Sequence, residues 1–270
     1  MLNSAVTMGQ LQQKLDLIAN NMANAGTNGY KTRGAEFSSL LYQQINNQQH
    51  ADEEIGRLTP NGIRIGSGAR LGATNLNMTE GAILTTGRDL DVALLEKNQF
   101  FQVLVTENGV QQTQYTRDGS FSLQPVNNGE SLMLVTKAGY PVQGENGPIL
   151  LDPSTEEVSI TSDGIVQGKT NGVIFEAGQL QVVQAIRPRL LEAKGDNLLG
   201  LPENVNVNVG DILQVVANNT TRLKTGALEA SNVDIAKEMT EMIMVQRAYQ
   251  FNGRSISMGD QMSGLINQLR

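Results

Sequence analysis

The sequence predicts a mixed α+β fold: long N- and C-terminal helices that pair as a coiled-coil-like domain, with an irregular antiparallel β domain between them. Apolar residues recur at steps of three and four up to Asn24 and again after Ser231, the spacing of one helix face. From Ile63 to about Val216 the chain shows short β runs broken by turn dipeptides, with almost no helical pattern. Residues 1–45 and 217–270 are expected to form one discontinuous helical assembly domain. Residues 63–216 are expected to form a β-rich outer domain, and 46–62 a linker or extended segment. A chain whose only long helices are its first and last elements is expected to pair its ends with each other or with copies of itself.

The first helix is expected over about Asn3 to Asn24. Met8, Leu11, Leu15, Ile18 and Met22 fall at steps of 3, 4, 3 and 4, a narrow seam of the kind two helices share in a coiled coil. One helix packed on its own domain's core would show the same stripe, so both readings stand. Gly26 and then Asn28-Gly29 supply chemistry that ends a helix. A shorter helix is expected at Ala35–Gln44, where Phe37, Leu40 and Leu41 share a face. The run from Asn46 to Glu54 holds no apolar residue larger than Ala and reads as an exposed loop or linker.

In the middle, Glu107-Asn108-Gly109 stands between Phe101–Val105 and Val110 onward, a strong hairpin signal. Asp118-Gly119 precedes the alternating Ser120-Phe121-Ser122-Leu123. Asn127-Asn128-Gly129, Ala138-Gly139, Asp163-Gly164 and Asn171-Gly172 add further turns. No fixed-period repeat is present.

The last helix is expected to begin near Ser231. Ser231 or Asn232 can accept from the first free amides, and Asp234 places favourable charge there. Ile235, Met239 and Met242 step by 4 and 3, and Met258, Met262, Leu265 and Leu269 step by 4, 3 and 4. The stretch between is polar. Gly253, Gly259 and Gly264 each weaken an isolated helix by up to ~1 kcal/mol relative to Ala, so this helix needs packing partners to hold it.

The 270-residue chain is long enough for one large or two smaller domains. Aromatics are 4% and Trp is absent, so the core is expected to be Val, Ile, Leu and Met. With no Cys and one His, disulfides and the common zinc arrangements are excluded. The net charge of -7 is uneven. Residues 1–45 hold three positive and two negative groups and residues 221–270 six and five, leaving 11 positive and 20 negative between them. Near-neutral ends suffer little repulsion when many copies pack, while an acidic middle stays solvated and lacks the basic footprint of nucleic-acid binding. No apolar run approaches the ~20 residues that span a bilayer. The first residues lack the positive region of a secretory signal, the first Lys being Lys14.

Asp89 and Asp91 alternate around Leu90 and are expected to share a strand face. Paired carboxylates serve glycoside hydrolysis, so a cell-wall-acting enzyme on a β scaffold is the competing function class, but turn or surface roles are expected. Gly66-Ser67-Gly68 with Gly72 has the wrong spacing for a dinucleotide fingerprint and reads as a bend. His50 has only Asp52 and Glu53 nearby in sequence and is expected to be solvated. No catalytic, cofactor or metal site is expected. Asn20, Asn21, Asn24 and Asn28 are poor helix-interior residues, and their amides suit bonds between crowded subunits.

Ile18-Ala19-Asn20-Asn21-Met22-Ala23-Asn24 with Thr27-Asn28-Gly29-Tyr30-Lys31 resembles the amino-terminal signature of the flagellar rod and hook axial proteins. Leu228-Glu229-Ala230-Ser231-Asn232-Val233-Asp234 and Gln246-Arg247-Ala248-Tyr249 resemble its carboxy-terminal signature. Gly62–Gly68, Thr79-Glu80-Gly81, Leu90–Leu94, Phe100–Val103 and Tyr115–Phe121 continue the resemblance through the middle, and the length fits the distal-rod type. The resemblance implies a structural subunit, not an enzyme, that polymerises into a helical homopolymer and meets neighbouring rod and hook proteins. It also implies passage through the flagellar type III export apparatus to the basal body, without a cleaved signal peptide and without membrane insertion. The assembly interface is expected at Met8, Leu11, Leu15, Ile18, Asn20, Asn21, Met22 and Asn24. On the last helix it is expected at Ser231, Asn232, Ile235, Met239, Met242, Gln246, Tyr249, Met258, Met262, Leu265 and Leu269. Residues 46–62 lie where rod and hook proteins of this family differ, and Ile55, Leu58 and Pro60 are expected to dock as an inter-subunit wedge, the alternative being a plain tether. A sister rod or hook subunit is the alternative within the family.

Overall fold

The computed structural model describes residues 2–39, 42–45, 63–66, 69–107, 109–202, 208–216 and 222–268. The chain divides into two units, one drawn from residues 1–22, 33–75 and 235–270, the other from 23–32 and 76–234. Three α-helices are described: α1 (Leu2–Ala23), the single turn α2 (Val209–Ile212) and α3 (Ile235–Gln268).

In the helical unit, α1 is rich in Leu, Gln, Ala and Met, and no Pro interrupts it, so local propensity favours a helix throughout. α3 runs unbroken for 34 residues through its three glycines. It starts later than its first cap candidates suggest. Ser231 Oγ accepts from the Val233 amide, and the Asn232 amide group is committed elsewhere, so neither caps the helix. Along α3 the hydroxyls of Thr240, Ser255, Ser257 and Ser263 each donate to the carbonyl four residues back, at 2.8, 3.0, 3.2 and 3.0 Å.

The helix expected at Ala35–Gln44 is not formed. Strands Arg33–Ser39 and Tyr42–Ile45 occupy this stretch, and Leu40 and Leu41 lie outside the described residues. Arg33–Ser39 pairs with Ala69–Leu76, and Tyr42–Ile45 runs antiparallel to Ile63–Gly66 with Gln43 opposite Ile65. Ala35, Phe37 and Ser39 also alternate with Glu36 and Ser38, so the segment fits a period of two as well as a helical one, and distant strand partners decided the outcome.

The β unit is antiparallel throughout its described strands. A six-stranded sheet has the order Glu192–Gly195, Leu198–Gly200, Val110–Thr116, Gln99–Glu107, Val182–Ala185, Leu213–Val215. Successive side chains point to opposite faces, which explains the paired phenylalanines. Phe101 joins a cluster with Val92, Leu94, Phe121, Leu134 and Val166, while Phe100 joins a second with Tyr115, Leu199 and Ile212. The rings of Phe101 and Phe121 meet edge to face with centroids 5.1 Å apart. Three-stranded sheets built on Ser131–Thr136 and on Ile165–Thr170 extend the unit. The expected hairpin joins Gln99–Glu107 to Val110–Thr116. Asn171-Gly172 takes φ of 51° and 82° between paired strands, as a two-residue hairpin turn requires.

Candidate assembly surfaces and a buried ionic junction

Among the described residues of the helical unit, Ile18 and Val245 are the only fully buried apolar side chains. Met8, Leu11, Leu15 and Met22 are half-buried along α1, and Asn20 is exposed. On α3 the predicted stripe lies open: Ile235, Met239, Met258, Met262 and Leu265 are exposed, Met262 by 64%, and Phe251, which the stripe did not include, by 68%. Met242 and Tyr249 are half-buried and Gln246 is exposed. Leu269 and the wedge candidates Ile55, Leu58 and Pro60 lie outside the described residues, as does the whole of 46–62.

Lys14 and Asn21 tie α1 to α3. Lys14 Nζ stands 3.3 Å from Glu241 Oε2 at a partly exposed site, where an ion pair contributes little. Asn21 is buried. Its Nδ2 donates to the Arg33 carbonyl at 3.0 Å and to Glu238 Oε1 at 3.2 Å, and its Oδ1 accepts from the Arg33 amide at 3.1 Å. One side-chain amide thus serves a peptide group as a neighbouring strand would. Burial pushes the Glu238 carboxyl up, and nearby Glu241 adds to this against the Asn21 bond.

In the β unit, residues 29–32 and 229–232 meet. Lys31 Nζ donates to Glu229 Oε1 at 2.7 Å and to the Thr79 carbonyl at 2.7 Å. Arg117 Nε donates to Glu229 Oε2, and its Nη1 donates to the carbonyls of Glu96 and Gln99, each at 3.1 Å. The Gly81 amide gives Glu229 Oε1 a further bond at 2.9 Å, and the Gly29 amide donates to the Glu229 carbonyl at 2.7 Å. All three ionic side chains are almost wholly buried, and Arg117 Nη2 is buried with no partner among the described residues. Asn232 closes the junction. Its Oδ1 accepts from the Thr32 amide at 2.7 Å, and its Nδ2 donates to the carbonyls of Asn77 and Thr79 at 2.8 and 2.9 Å. A Cβ on Gly81 would run into the Ala230 carbonyl oxygen, so only Gly admits this approach.

Burial alone would raise the Glu229 carboxyl, but Arg117, Lys31 and the Gly81 amide more than offset it and leave it below its ordinary value. Burial and the neighbouring Arg117 lower the Lys31 ammonium, with only partial compensation from Glu229. The two directions agree physically: two cations share one carboxylate, so the carboxylate is held in its charged form and the Lys31 ammonium is crowded by Arg117.

Family models match the chain in three places. One described as flagella basal body rod protein covers residues 1–31, one described as flagellar hook protein FlgE/F/G D1 domain covers 95–168, and one described as flagellar basal body rod FlgEFG protein C-terminal covers 224–269. A Bacillus subtilis (strain 168) protein named flagellar hook-basal body complex protein FlhP is 39% identical over 100% of this chain and 98% of its own length. The chain belongs to the flagellar rod and hook family. Relatives named flagellar basal-body rod protein FlgG are 35% identical in Borreliella burgdorferi, over 99% of this chain and 97% of theirs, and 35% in Bacillus subtilis, over 97% and 96%. Lys31, Arg117 and Glu229 each fall in a different one of the three matched segments.

Sequence reasoning placed Lys31, Arg117, Gly81 and Glu229 inside the rod-family motifs without seeing that they meet. A separation of 198 residues between Lys31 and Glu229 leaves no periodic trace. Val245 and Glu238 were missed because Val245 stands in the stretch after Met242 that reads as polar, and a lone Glu carries no apolar signal. Asp89 and Asp91 do not share a face. The Asp91 amide bonds the Arg88 carbonyl at 3.0 Å, so the segment is a turn rather than a strand. Asp89 is exposed, while Asp91 is buried and accepts from Thr86 Oγ1 at 2.7 Å. Among the described residues no three His, Cys, Asp or Glu side chains gather as metal ligands, and no helix is long and apolar enough to cross a membrane.

Proposed function

We propose that this chain is a structural subunit of the bacterial flagellar rod, of the distal-rod type, that polymerises through its terminal helices into a hollow torque-transmitting shaft. The observation that carries this reading, in a chain of this family, is the open apolar stripe of α3. Each such side chain gains ~1.5–3 kcal/mol when fully buried, and ordering a residue costs ~1–2 kcal/mol. Neighbouring copies that cover the stripe supply what the single chain lacks, so terminal order and assembly are coupled. On this reading α1 and α3 form a coiled-coil-like pair, and the exposed Asn20 and Gln246 bond across copies. Residues 46–62 wedge between them through Ile55, Leu58 and Pro60. The subunit leaves the cell by the flagellar type III route without a cleaved signal peptide and meets other rod and hook subunits at its ends. Purified hook–basal bodies should contain the chain, and Leu15→Asp should abolish its incorporation, because a carboxylate buried in a packed seam costs several kcal/mol. Normal motility and rod occupancy with that variant would overturn the reading.

A sister-subunit reading is favoured by one observation: the FlhP-named relative is 39% identical, the FlgG-named relative of the same bacterium 35%. Restoration of motility in a Bacillus subtilis strain lacking FlhP, but not in one lacking FlgG, would select it.

A further inference from the structure

The Lys31–Glu229–Arg117 cluster is poorly built for stability alone. Two buried cations share one carboxylate, and one guanidinium nitrogen lacks a partner among the described residues. Buried ion pairs of this kind contribute little net stability, and their best-attested use is to fix a register. What this cluster fixes is specific. Lys31 follows α1 after the short segment 24–30, and Glu229 precedes α3 by a few residues. Arg117, from neither segment, lies beside them only when the strand ending at Thr116 is in place in the six-stranded sheet. The Gly81 amide, the Thr79 carbonyl and the Asn77 carbonyl are further groups of the β unit that grip the two segments. The contact of Thr32 with Asn232 joins points 200 residues apart.

We infer that this junction is a registration checkpoint. Folding of the β unit clamps segments 29–32 and 229–232 side by side in one register, and this presents the first and last helices together as a matched pair to an incoming copy. The inference rests on the assembly reading above and adds, to the Lys14–Glu241 and Asn21–Glu238 contacts, a cause for helix pairing that lies outside the helices. Chains tethered through short flexible segments meet at an effective concentration on the order of millimolar. Helices joined only through a 200-residue connection have no such advantage. The checkpoint therefore acts through proximity rather than through contacts with the partner copy.

The native chain has no Cys, so Gly26→Cys and Asp234→Cys carry two spin labels cleanly. Pulsed electron paramagnetic resonance on the full-length monomer should give one narrow distance distribution. Glu229→Gln keeps the shape and removes the charge. It should broaden that distribution and lower incorporation into rods by at least about tenfold. Because it strands two buried cations, it should also lower the thermal transition of the β unit, so the stability-matched comparison is made with apolar side chains. A replacement of the cluster by apolar side chains of similar volume, Lys31→Met with Glu229→Leu and Arg117→Met, should retain the β transition yet remain broad, which a purely stabilising role would not produce. If Glu229→Gln unfolds the β unit, Asn232→Ala gives the same readings without touching the charges. A narrow distribution in the variants, or a broad one with full incorporation, overturns the checkpoint. Absence of the unsubstituted chain from hook–basal bodies, with the distance result intact, would instead count against the rod assignment alone.

Discussion

The β unit and the helical unit solve the problem of burial in opposite ways. The β unit gathers Phe101, Phe121, Leu134, Val166 and their neighbours into a closed interior and satisfies its buried carboxylate with two cations. The helical unit, among its described residues, buries two apolar side chains, Ile18 and Val245, and leaves five of the stripe residues of α3 in the open. Apolar burial is the dominant favourable term in folding. On the proposed reading the first unit is complete in one copy, and the second is completed by other copies. The difference teaches that one sequence can close the core of one unit and leave another short of apolar burial.

The largest effect separates the units directly. Phe101→Ala should destabilise the β unit by ~3–5 kcal/mol, read from its thermal transition. Met262→Asp should leave that transition within ~0.5 kcal/mol of the unsubstituted chain, as an exposed substitution does, while abolishing incorporation into rods. Equal losses of monomer stability from both variants would collapse the comparison. Next in size, Asn21→Ala strips the Arg33 backbone of both bonds and removes a donor from Glu238. A cost of ~1–3 kcal/mol is expected, confined to faster amide exchange in the helical unit. Limited proteolysis sharpens the same contrast. Both ends should be cut first, leaving a resistant fragment that contains Val92 to Leu223. Ends protected as well as that fragment in the monomer would show that the helical unit is complete by itself.

The smaller effects are those of pH, and the two buried glutamates differ in sign. The Glu229 carboxyl is lowered, so its contribution is present above the ordinary carboxylate range and is lost as pH falls through its depressed folded value. The Glu238 carboxyl is raised, so the folded helical unit binds the extra proton and gains stability as pH falls through that raised value. The stability gap between the unsubstituted chain and Glu229→Gln should close in acid. Glu238→Gln should be the more stable form at neutral pH and lose that advantage in acid. Parallel pH profiles for the two variants would refute the contrast. The smallest expected effect is that of Lys14→Ala, within ~1 kcal/mol, because its ion pair with Glu241 is partly exposed.

The two long helices, the hairpin at Gly109 and the antiparallel middle were legible in the sequence because each leaves a local pattern: a step of three or four, or a Gly in a tight turn. The strand at Arg33–Ser39 was not, because Phe37, Leu40 and Leu41 satisfy a helical spacing as well, and its partner strand starts at Ala69. The junction was half legible. The motifs brought Lys31, Arg117, Gly81, Glu229 and Asn232 to notice, yet charge pairing across 198 residues has no period to read. Asn21 showed the same limit: an Asn within a helix signals a polar contact, but not that the contact is the Arg33 peptide of its own chain.

The hydroxyls of α3 carry one more consequence. By composition the helix between Thr240 and Ser263 reads as wet, with serines scattered among its methionines. Yet Thr240, Ser255, Ser257 and Ser263 each spend their only donor on the carbonyl one turn back. A hydroxyl whose proton is already engaged asks little of its surroundings. When a neighbouring surface closes over such a residue, water can leave without stranding a donor, so α3 is drier in its hydrogen-bonding demands than its sequence suggests. Ser257→Ala should therefore enter the polymer as readily as the unsubstituted chain, even where that face becomes fully enclosed.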